Sequence, residues 1–286
     1  MRRRPSPLFH LGVTAAILLL VAPIGIVVAI SFSGDGSLAF PPRSWSLRWH
    51  ERFLGDIRWQ RALWNSVVIA AGASLIGTAA GFLAAYAFVR GGFPLKRVLL
   101  SLVLTPIIVP HVICAIALYY VASPLGLVGS LATVSLAHAT LGLPVVVLVI
   151  SSTLQSVDPN LERAALGMGC SPAGVFRRVV LPLAAPGVIS AALFAFLASF
   201  DELLVAMFLA GVRTQTLPVR IWNSLAMEVE PTIAAANAAL IAVTLAVLLT
   251  FVLVASRIST TGCVAKGTPL VALAEGLVVS TSCVGG

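Results

Sequence analysis

Six long apolar runs, separated by shorter polar segments, dominate the hydrophobic pattern of this chain. Each run is long enough to cross about 30 Å of hydrocarbon as a helix, at a rise of about 1.5 Å per residue. The predicted spans are approximately Leu8–Ile30, Leu63–Val89, Val98–Val121, Ser130–Ser152, Gly187–Gly211 and Thr232–Ser256. The pattern therefore predicts an all-α, polytopic membrane protein with six transmembrane helices, formed by residues 1–257.

The composition agrees with the membrane class. The chain is 59% hydrophobic and 10% charged, whereas a soluble domain carries about 25% charged residues. A net charge of +8 would suggest nucleic-acid binding in a soluble protein. Beside membrane spans, however, Lys and Arg set orientation and contact anionic lipid. We expect a lipid membrane and no nucleic acid as partner.

The distribution of positive charge predicts the orientation. With the N-terminus inside, the inner segments hold eleven Lys and Arg residues and the outer segments hold seven. This bias favours a cytoplasmic N-terminus. The first run follows MRRR but is longer than the apolar region of a signal peptide, so we expect an uncleaved helix in a bacterial inner membrane.

The first outer segment, residues 31–62, is rich in arginine and tryptophan. Its WSLRWHERF stretch contains Trp45 and Trp49, and Trp59 follows. Two interpretations are open: an amphipathic segment with tryptophans at headgroup depth, or a docking surface for a partner. The tail, residues 258–286, has no apolar run long enough to span, and we expect it to be poorly ordered.

The polar segment between the fourth and fifth runs has the signals of two short helices. Asp158-Pro159 is typical of a helix start, with Asp as N-cap and Pro at the first helical position. Gly167 and Gly169 are expected to end this helix. Its apolar residues recur at helical spacing and form one face: Leu161, Ala164, Ala165 and Met168.

A second helix is expected to begin at Ser171-Pro172 and to end at Leu181-Pro182. The two helices and their glycine elbow form a hairpin, residues 158–182, which the positive-inside count places in the cytoplasm. One interpretation is an amphipathic hairpin lying on the inner leaflet. The other is an element that inserts into a cleft on another protein and transmits its movement.

The spacing within the hairpin resembles the EAA loop of ABC-importer permeases, E-A-A-x-x-x-G-x-x-x-x-x-x-F-x-x-I-x-L-P. One position departs from this pattern, because Arg163 stands where the family has Glu and the acid is displaced to Glu162. The resemblance implies that the hairpin is seated in a groove of a cytoplasmic ATPase. The implied coupling residues are Glu162, Arg163, Ala164, Ala165, Gly169, Phe176, Val179, Leu181 and Pro182.

Other stretches resemble the spermidine/putrescine subfamily of these permeases, in particular the second permease of the pair. They include LTPIIVPHV, LASFDELLVAMFLAG and TQTLPVRIWNSL. This resemblance implies that the chain forms half of the translocation path for a small organic solute, which we expect to be a polyamine. It also implies three partners: a paralogous permease, an ATPase dimer and an external substrate-binding protein. Another small solute of related importers is the alternative substrate.

Asp201 and Glu202 form an adjacent acidic pair within the fifth predicted span. A carboxylate in hydrocarbon costs at least ~2.5 kcal/mol, so such residues commonly serve a pathway or a functional pair. The alternative is that the helix breaks early and the pair is interfacial, or that the pair bonds backbone and hydroxyl groups. The resemblance favours Asp201 as the residue that faces the path, with Glu202 bonded to a neighbouring helix. His111 and His138 are lone histidines in apolar runs, expected to be hydrogen-bonded packing residues.

The sequence contains no G-x-x-x-x-G-K-[ST] motif, which is the phosphate-binding loop of many ATPases. The cysteines lack metal-ligand spacing, and no catalytic constellation is recognisable. We therefore expect no enzyme activity, no catalytic residue, no metal and no cofactor on this chain, with ATP and Mg bound by a separate ATPase. A stand-alone secondary transporter or channel is the alternative function.

Overall fold

The structure is a computed structural model that describes residues 7–36, 38–227 and 230–261. The all-α prediction is confirmed. The helices are α1 (Pro7–Ser31), α2 (Arg48–Gly55), α3 (Ile57–Arg90), α4 (Lys96–Ile108), α5 (His111–Ala122), α6 (Leu131–Ser156), α7 (Pro159–Gly167), α8 (Pro172–Val175), α9 (Leu181–Phe200), α10 (Leu204–Leu209), α11 (Leu217–Met227) and α12 (Thr232–Thr261). A π-helical turn, Phe176–Val180, joins α8 to α9. The predicted tail begins too early, because residues 258–261 continue α12, and its residues 262–286 lie outside the described residues.

Within the described ranges, five helical segments are long and apolar enough to cross a membrane. They are Leu11–Ser31, Ile57–Arg90, Leu131–Ser156, Pro172–Phe200 and Thr232–Leu253. The third predicted span is different, because α4 and α5 pass the same test only as a pair bent by 110°. The prediction of a single continuous helix over Val98–Val121 is therefore wrong. Val109 is extended, with ψ 130°, since Pro110 disfavours helical backbone in the residue before it.

The fifth predicted span, Gly187–Gly211, is wrong at both ends. Its helix begins earlier, because α8, the π turn and α9 form one helical segment over Pro172–Phe200. The sequence predicted that the second hairpin helix ends at Leu181-Pro182, but the helix continues through Pro182. The N–H of Leu181 bonds the carbonyl of Phe176 in the π pattern, which keeps the chain helical beside a proline that lacks a donor. The helix ends at Phe200, and α10 starts after three further residues.

The described residues divide into two compact units. The first lies within residues 1–65 and 215–244, and the second within residues 66–214 and 245–286. In the first unit, α2 buries Trp49 and Phe53 against α11 and the start of α12. Trp59 is 2% exposed, and the guanidinium of Arg220 lies 5.3 Å from its ring centroid. The WSLRWHERF stretch thus contributes Trp49 to a protein core, which neither sequence interpretation anticipated, whereas Trp45 is exposed.

The core of the second unit forms mainly between α3, α6, the hairpin and α9. Small residues allow α6 and α9 to approach closely, among them Ala191 and Ala195, which are buried. Gly187 faces Thr153 so closely that a Cβ added to it would lie 2.6 Å from the Thr153 Cβ. At Gly142, by contrast, the added atom would lie 4.0 Å from the Cβ of Ala195. Glycine at position 187 is therefore a packing requirement.

We expect Gly187→Ala to lower stability by about 1–3 kcal/mol through overpacking against Thr153. Gly142→Ala is the matched control, because it adds the same methyl group in a helix at ordinary van der Waals distance. Both variants gain similar helix propensity, so the difference between them isolates the steric effect. Thermal unfolding of the purified protein in detergent measures it. Equal midpoints for the two variants would contradict the close approach.

Candidate functional site

The first arm of the hairpin is capped at both ends as its sequence predicts. The Asp158 carboxylate accepts the N–H of Asn160 at 2.9 Å, and Pro159 is the first residue of α7. At the other end, the N–H groups of Gly169 and Cys170 bond the carbonyls of Leu166 and Ala165 at 3.0 and 3.1 Å. This is the Schellman arrangement, which requires a left-handed residue. Gly169 supplies it with φ +87°.

The second arm is part of a much longer helical segment. The Ser171 hydroxyl accepts the N–H of Gly174 at 3.2 Å and caps the start of α8. From Pro172 the segment continues for 29 residues to Phe200, a length of about 43 Å at 1.5 Å per residue. The hairpin elbow and Asp201 therefore lie at opposite ends of one helical segment.

The inner side of the hairpin is fastened to the end of α3 by an ion pair. Arg90 Nε donates to Glu162 Oε1 at 2.7 Å, and the two side chains are only 17% and 12% exposed. The hydroxyl of Tyr86 donates to Glu162 Oε2 at 3.2 Å. Arg90 Nη2 also donates to the carbonyl of Val157 at 2.8 Å. The carboxylate of Glu162 is thus used within the chain.

Aromatic packing holds the second arm to the same helix. The ring of Phe176 meets Phe82 and Tyr86 edge to face, with centroids 5.3 and 5.4 Å apart. Ala165 is buried in this cluster, and Val179 is partly buried against it. The predicted coupling residues therefore divide into two sets. Those that pack inward are Glu162, Ala165, Phe176 and Val179.

The remaining predicted coupling residues are exposed: Arg163, Ala164, Gly169, Leu181 and Pro182. The apolar face predicted for α7 is also uncovered apart from Ala165, since Leu161 is exposed and Met168 is 78% exposed. The hairpin therefore combines an inner side fixed to the bundle with an outer side that is open for contact.

The acidic pair lies at a helix interruption rather than inside a continuous helix. Asp201 follows the last residue of α9 and is exposed. Glu202 Oε1 accepts the N–H of Val205 at 3.0 Å, near the start of α10. Its Oε2 lies 3.2 Å from His111 Nδ1 on α5. Glu202 thus bonds a neighbouring helix, as predicted.

The interruption shows that the fifth predicted span is not continuous past Phe200. In a continuous helix, Leu204, Val205 and Phe208 would lie on the same side as Asp201, at i+3, i+4 and i+7, but the chain leaves the helix at Asp201. The Glu202 side chain competes for the N–H of Val205, which an uninterrupted helix would bond to a main-chain carbonyl.

His138 has the packing role expected for it, because its Nδ1 lies 2.8 Å from the hydroxyl of Ser199 in a buried contact between α6 and α9. His111 has a hydrogen-bond partner in Glu202 but remains 51% exposed. Within the described ranges, no group of three or more His, Cys, Asp or Glu side chains is arranged to hold a metal ion.

Arg90 and Tyr86 are the functional residues that sequence reasoning missed. Arg90 was counted only as an inner positive charge, and Tyr86 lies within an apolar run. The available signal was weak: an arginine at the end of a span, and two acids, Asp158 and Glu162, in a later inner segment. Their sequence separation of 72 residues gave no reason to pair them.

A comparison with known protein families identifies the family to which the chain belongs. The family described as "Binding-protein-dependent transport system inner membrane component" matches residues 77–259. The matched stretch contains the hairpin, Arg90 and both carboxylates of the acidic pair. The chain belongs to this family. The permease is thus a multi-pass inner-membrane component of a transport system, rather than an enzyme or the stand-alone transporter or channel considered above.

Two relatives and one solved structure illustrate the likeness. Putrescine transport system permease protein PotI of Escherichia coli (strain K12) is 34% identical over 75% of this chain and 78% of PotI. Spermidine/putrescine transport system permease protein PotC of Haemophilus influenzae is 32% identical over 79% of this chain and 88% of PotC. A bacterial alginate ABC transporter, solved with an alginate pentasaccharide-bound periplasmic protein, has a TM-score of 0.68 at 16% identity, covering 89% of this chain and 96% of that chain.

The ion pair between hairpin and α3 can be tested by a double-mutant cycle of Arg90→Met and Glu162→Gln. We expect a coupling energy on the order of 1–3 kcal/mol, because the two side chains share one weakly exposed network. Unfolding of the purified permease in detergent measures it. The control cycle pairs Glu162→Gln with Arg97→Met on the exposed side of α4 and should be additive. Additivity in both cycles would contradict the contact.

Proposed function

We propose that the permease forms half of a translocation path together with a second, paralogous permease subunit. A dimer of cytoplasmic ATPase subunits engages the hairpin, residues 158–182, and an external binding protein delivers the substrate. The observation that carries this proposal is the construction of the hairpin. It is a capped element with an open outer side, and its second arm continues without a break toward the acidic pair.

The N-terminus is cytoplasmic in this proposal, which places the hairpin on the side where ATP is available. The excess of Lys and Arg in the inner segments supports this orientation. ATP and Mg bind to the separate ATPase subunits, and the permease itself binds no cofactor. The absence of a phosphate-binding loop motif from the sequence supports this division of roles.

The mechanism follows from the two connections of the hairpin. Closure of the ATPase dimer displaces the outer side of the hairpin. The helical continuity from Pro172 to Phe200 carries this displacement along α9, and the Arg90–Glu162 pair carries it to α3. A packed bundle responds by switching between discrete arrangements, so the path opens alternately to the two sides of the membrane.

The proposed substrate is a polyamine such as putrescine or spermidine. Two observations support it: the substrates in the names of the two relatives, and the exposed carboxylate of Asp201 at the far end of the α9 segment. An ammonium group that loses its hydration water in a low-dielectric path needs a carboxylate in place of that water, because burying an unpaired charge is costly. The alginate transporter, which has the same fold, shows that fold alone does not select the substrate. Another small solute is therefore the second candidate.

Docking of the hairpin can be tested in membranes that contain the whole transport complex. We expect Ala164→Cys to cross-link to cysteines placed in the ATPase groove, since Ala164 is exposed on α7. Gly169→Val should abolish uptake while the protein still inserts, because a branched side chain is strained at φ +87°. Gly169→Asn is the matched control and should retain more activity, since Asn tolerates this conformation. Full uptake by Gly169→Val would count against coupling through the elbow.

The role of the acidic pair can be tested by comparing Asp201→Asn with Glu202→Gln in uptake of labelled putrescine. Asp201→Asn keeps the shape of the side chain and removes its charge. We therefore expect the maximal rate of uptake to fall about tenfold or more, with little change in the half-saturation concentration or in the protein level. Glu202→Gln should mainly reduce stability, because Glu202 bonds Val205 and His111. Unchanged uptake by well-expressed Asp201→Asn would remove this residue from the substrate path.

A further inference from the structure

We propose that the hairpin presents a positive charge, Arg163, to the ATPase, and that the groove that receives it carries a carboxylate. This inference rests on the proposed function and specifies the chemistry of the partner surface. It follows from the way in which the structure distributes the charges of the hairpin between its inner and outer sides.

The acid of the hairpin helix is not available to a partner. Glu162 is 12% exposed and is held by Arg90 and Tyr86. To bond a partner it would have to leave Arg90 with an uncompensated charge in a weakly exposed site, which is costly. Asp158 is exposed, and its Oδ1 accepts the N–H of Asn160 and caps α7. One acid is therefore withdrawn from the outer side, and the other already serves as a helix cap.

The positive charges, by contrast, are exposed. Arg163, Arg177 and Arg178 all lie on the outer side of the hairpin. Arg163 Nη1 donates to the amide oxygen of Asn160 at 3.3 Å, and in the part of the chain that the structure describes it forms no ion pair. A planar guanidinium with unused donors matches a carboxylate in bidentate geometry.

The surroundings of Arg163 favour a protein surface over a lipid surface. At 100° per residue, Glu162 and Ala165 define the inward side of α7, and the opposite side carries Asn160, Arg163, Ala164 and Gly167. A membrane-binding amphipathic helix requires large apolar residues on its contact side. Here the outermost side is small and polar. The exposed apolar side chains, Leu161, Leu166 and Met168, lie about 90° or more from its centre. A Cβ added to Gly167 would meet no atom within 4 Å, so a partner surface has room to approach the backbone closely.

The test uses the complete complex of both permeases and the ATPase, reconstituted in vesicles with and without anionic lipid and supplied with the external binding protein. We expect Arg163→Glu to lower ATPase association and uptake about tenfold or more, and Arg163→Lys to lower them less, because Lys keeps the charge but loses the bidentate geometry. Arg97→Glu, the same charge change at an exposed position on α4, is the matched control and should have little effect. Replacing the groove carboxylate by arginine should restore association of Arg163→Glu.

The outcomes separate this inference from the proposed function. If Ala164→Cys cross-links to the ATPase but Arg163→Glu associates and transports normally, the inference is wrong and the docking proposal stands. If no hairpin cysteine cross-links, the docking proposal itself fails. If Arg163→Glu and Arg97→Glu lose activity equally, and only in anionic vesicles, the arginine binds lipid and the inference is overturned.

Discussion

The ion pair between Arg90 and Glu162 holds together the parts of the second unit on which the proposed coupling depends. It joins the last residue of α3 to the first arm of the hairpin at 2.7 Å, with both side chains largely withdrawn from solvent. Removing either partner would leave the other charge poorly solvated, which costs more than losing an exposed pair. Tyr86 and the carbonyl of Val157 use further hydrogen-bonding capacity of the pair. A displacement of the hairpin therefore moves α3 unless this network is first broken.

A second constraint is that main-chain polar groups in hydrocarbon need partners within the protein. It explains why the helix continues through Pro182 but bends at Pro110, since in both places the main-chain groups find partners. Beside Pro182, the N–H of Leu181 reaches the carbonyl of Phe176, so the helix continues through a π turn. At Pro110 the chain bends by 110°, and the N–H of Val109 still bonds the carbonyl of Thr105 at 3.2 Å. At the interruption after Phe200, the Glu202 carboxylate accepts a main-chain N–H directly.

The sequence predicted those features whose causes are local. The helix starts at Asp158 and Ser171 and the left-handed Gly169 depend on residues within one turn, and the structure has all of them. The α4–α5 bend was missed because proline is tolerated in many membrane helices, so its presence does not decide between a bend and a continuous helix. The end of α9 was left open between a continuous span and an early break, because the local bond between Glu202 and the N–H of Val205 that accompanies the break cannot be read from residue types alone. The Arg90–Glu162 pair was missed because its members are 72 residues apart in the sequence. The comparisons confirmed the family and the fold, whereas the roles of the individual site residues stay predictions.

Two pairs of neighbouring charged residues, Glu162–Arg163 and Asp201–Glu202, show the same division of roles. In each pair one residue serves the structure and the other is exposed, and the specificity of the permease can reside in the exposed one. In each pair one carboxylate is engaged within the chain: Glu162 with Arg90, and Glu202 with His111 and the N–H of Val205. The neighbour in each pair, Arg163 or Asp201, is exposed. Because the engaged member fixes the local backbone, the exposed member is held in a defined position without using its own charge for structure. A fold shared with an alginate transporter cannot by itself dictate the charge of the proposed cargo or of the proposed ATPase groove. The exposed member of each pair can be replaced to match a differently charged partner, while the engaged member preserves the fold.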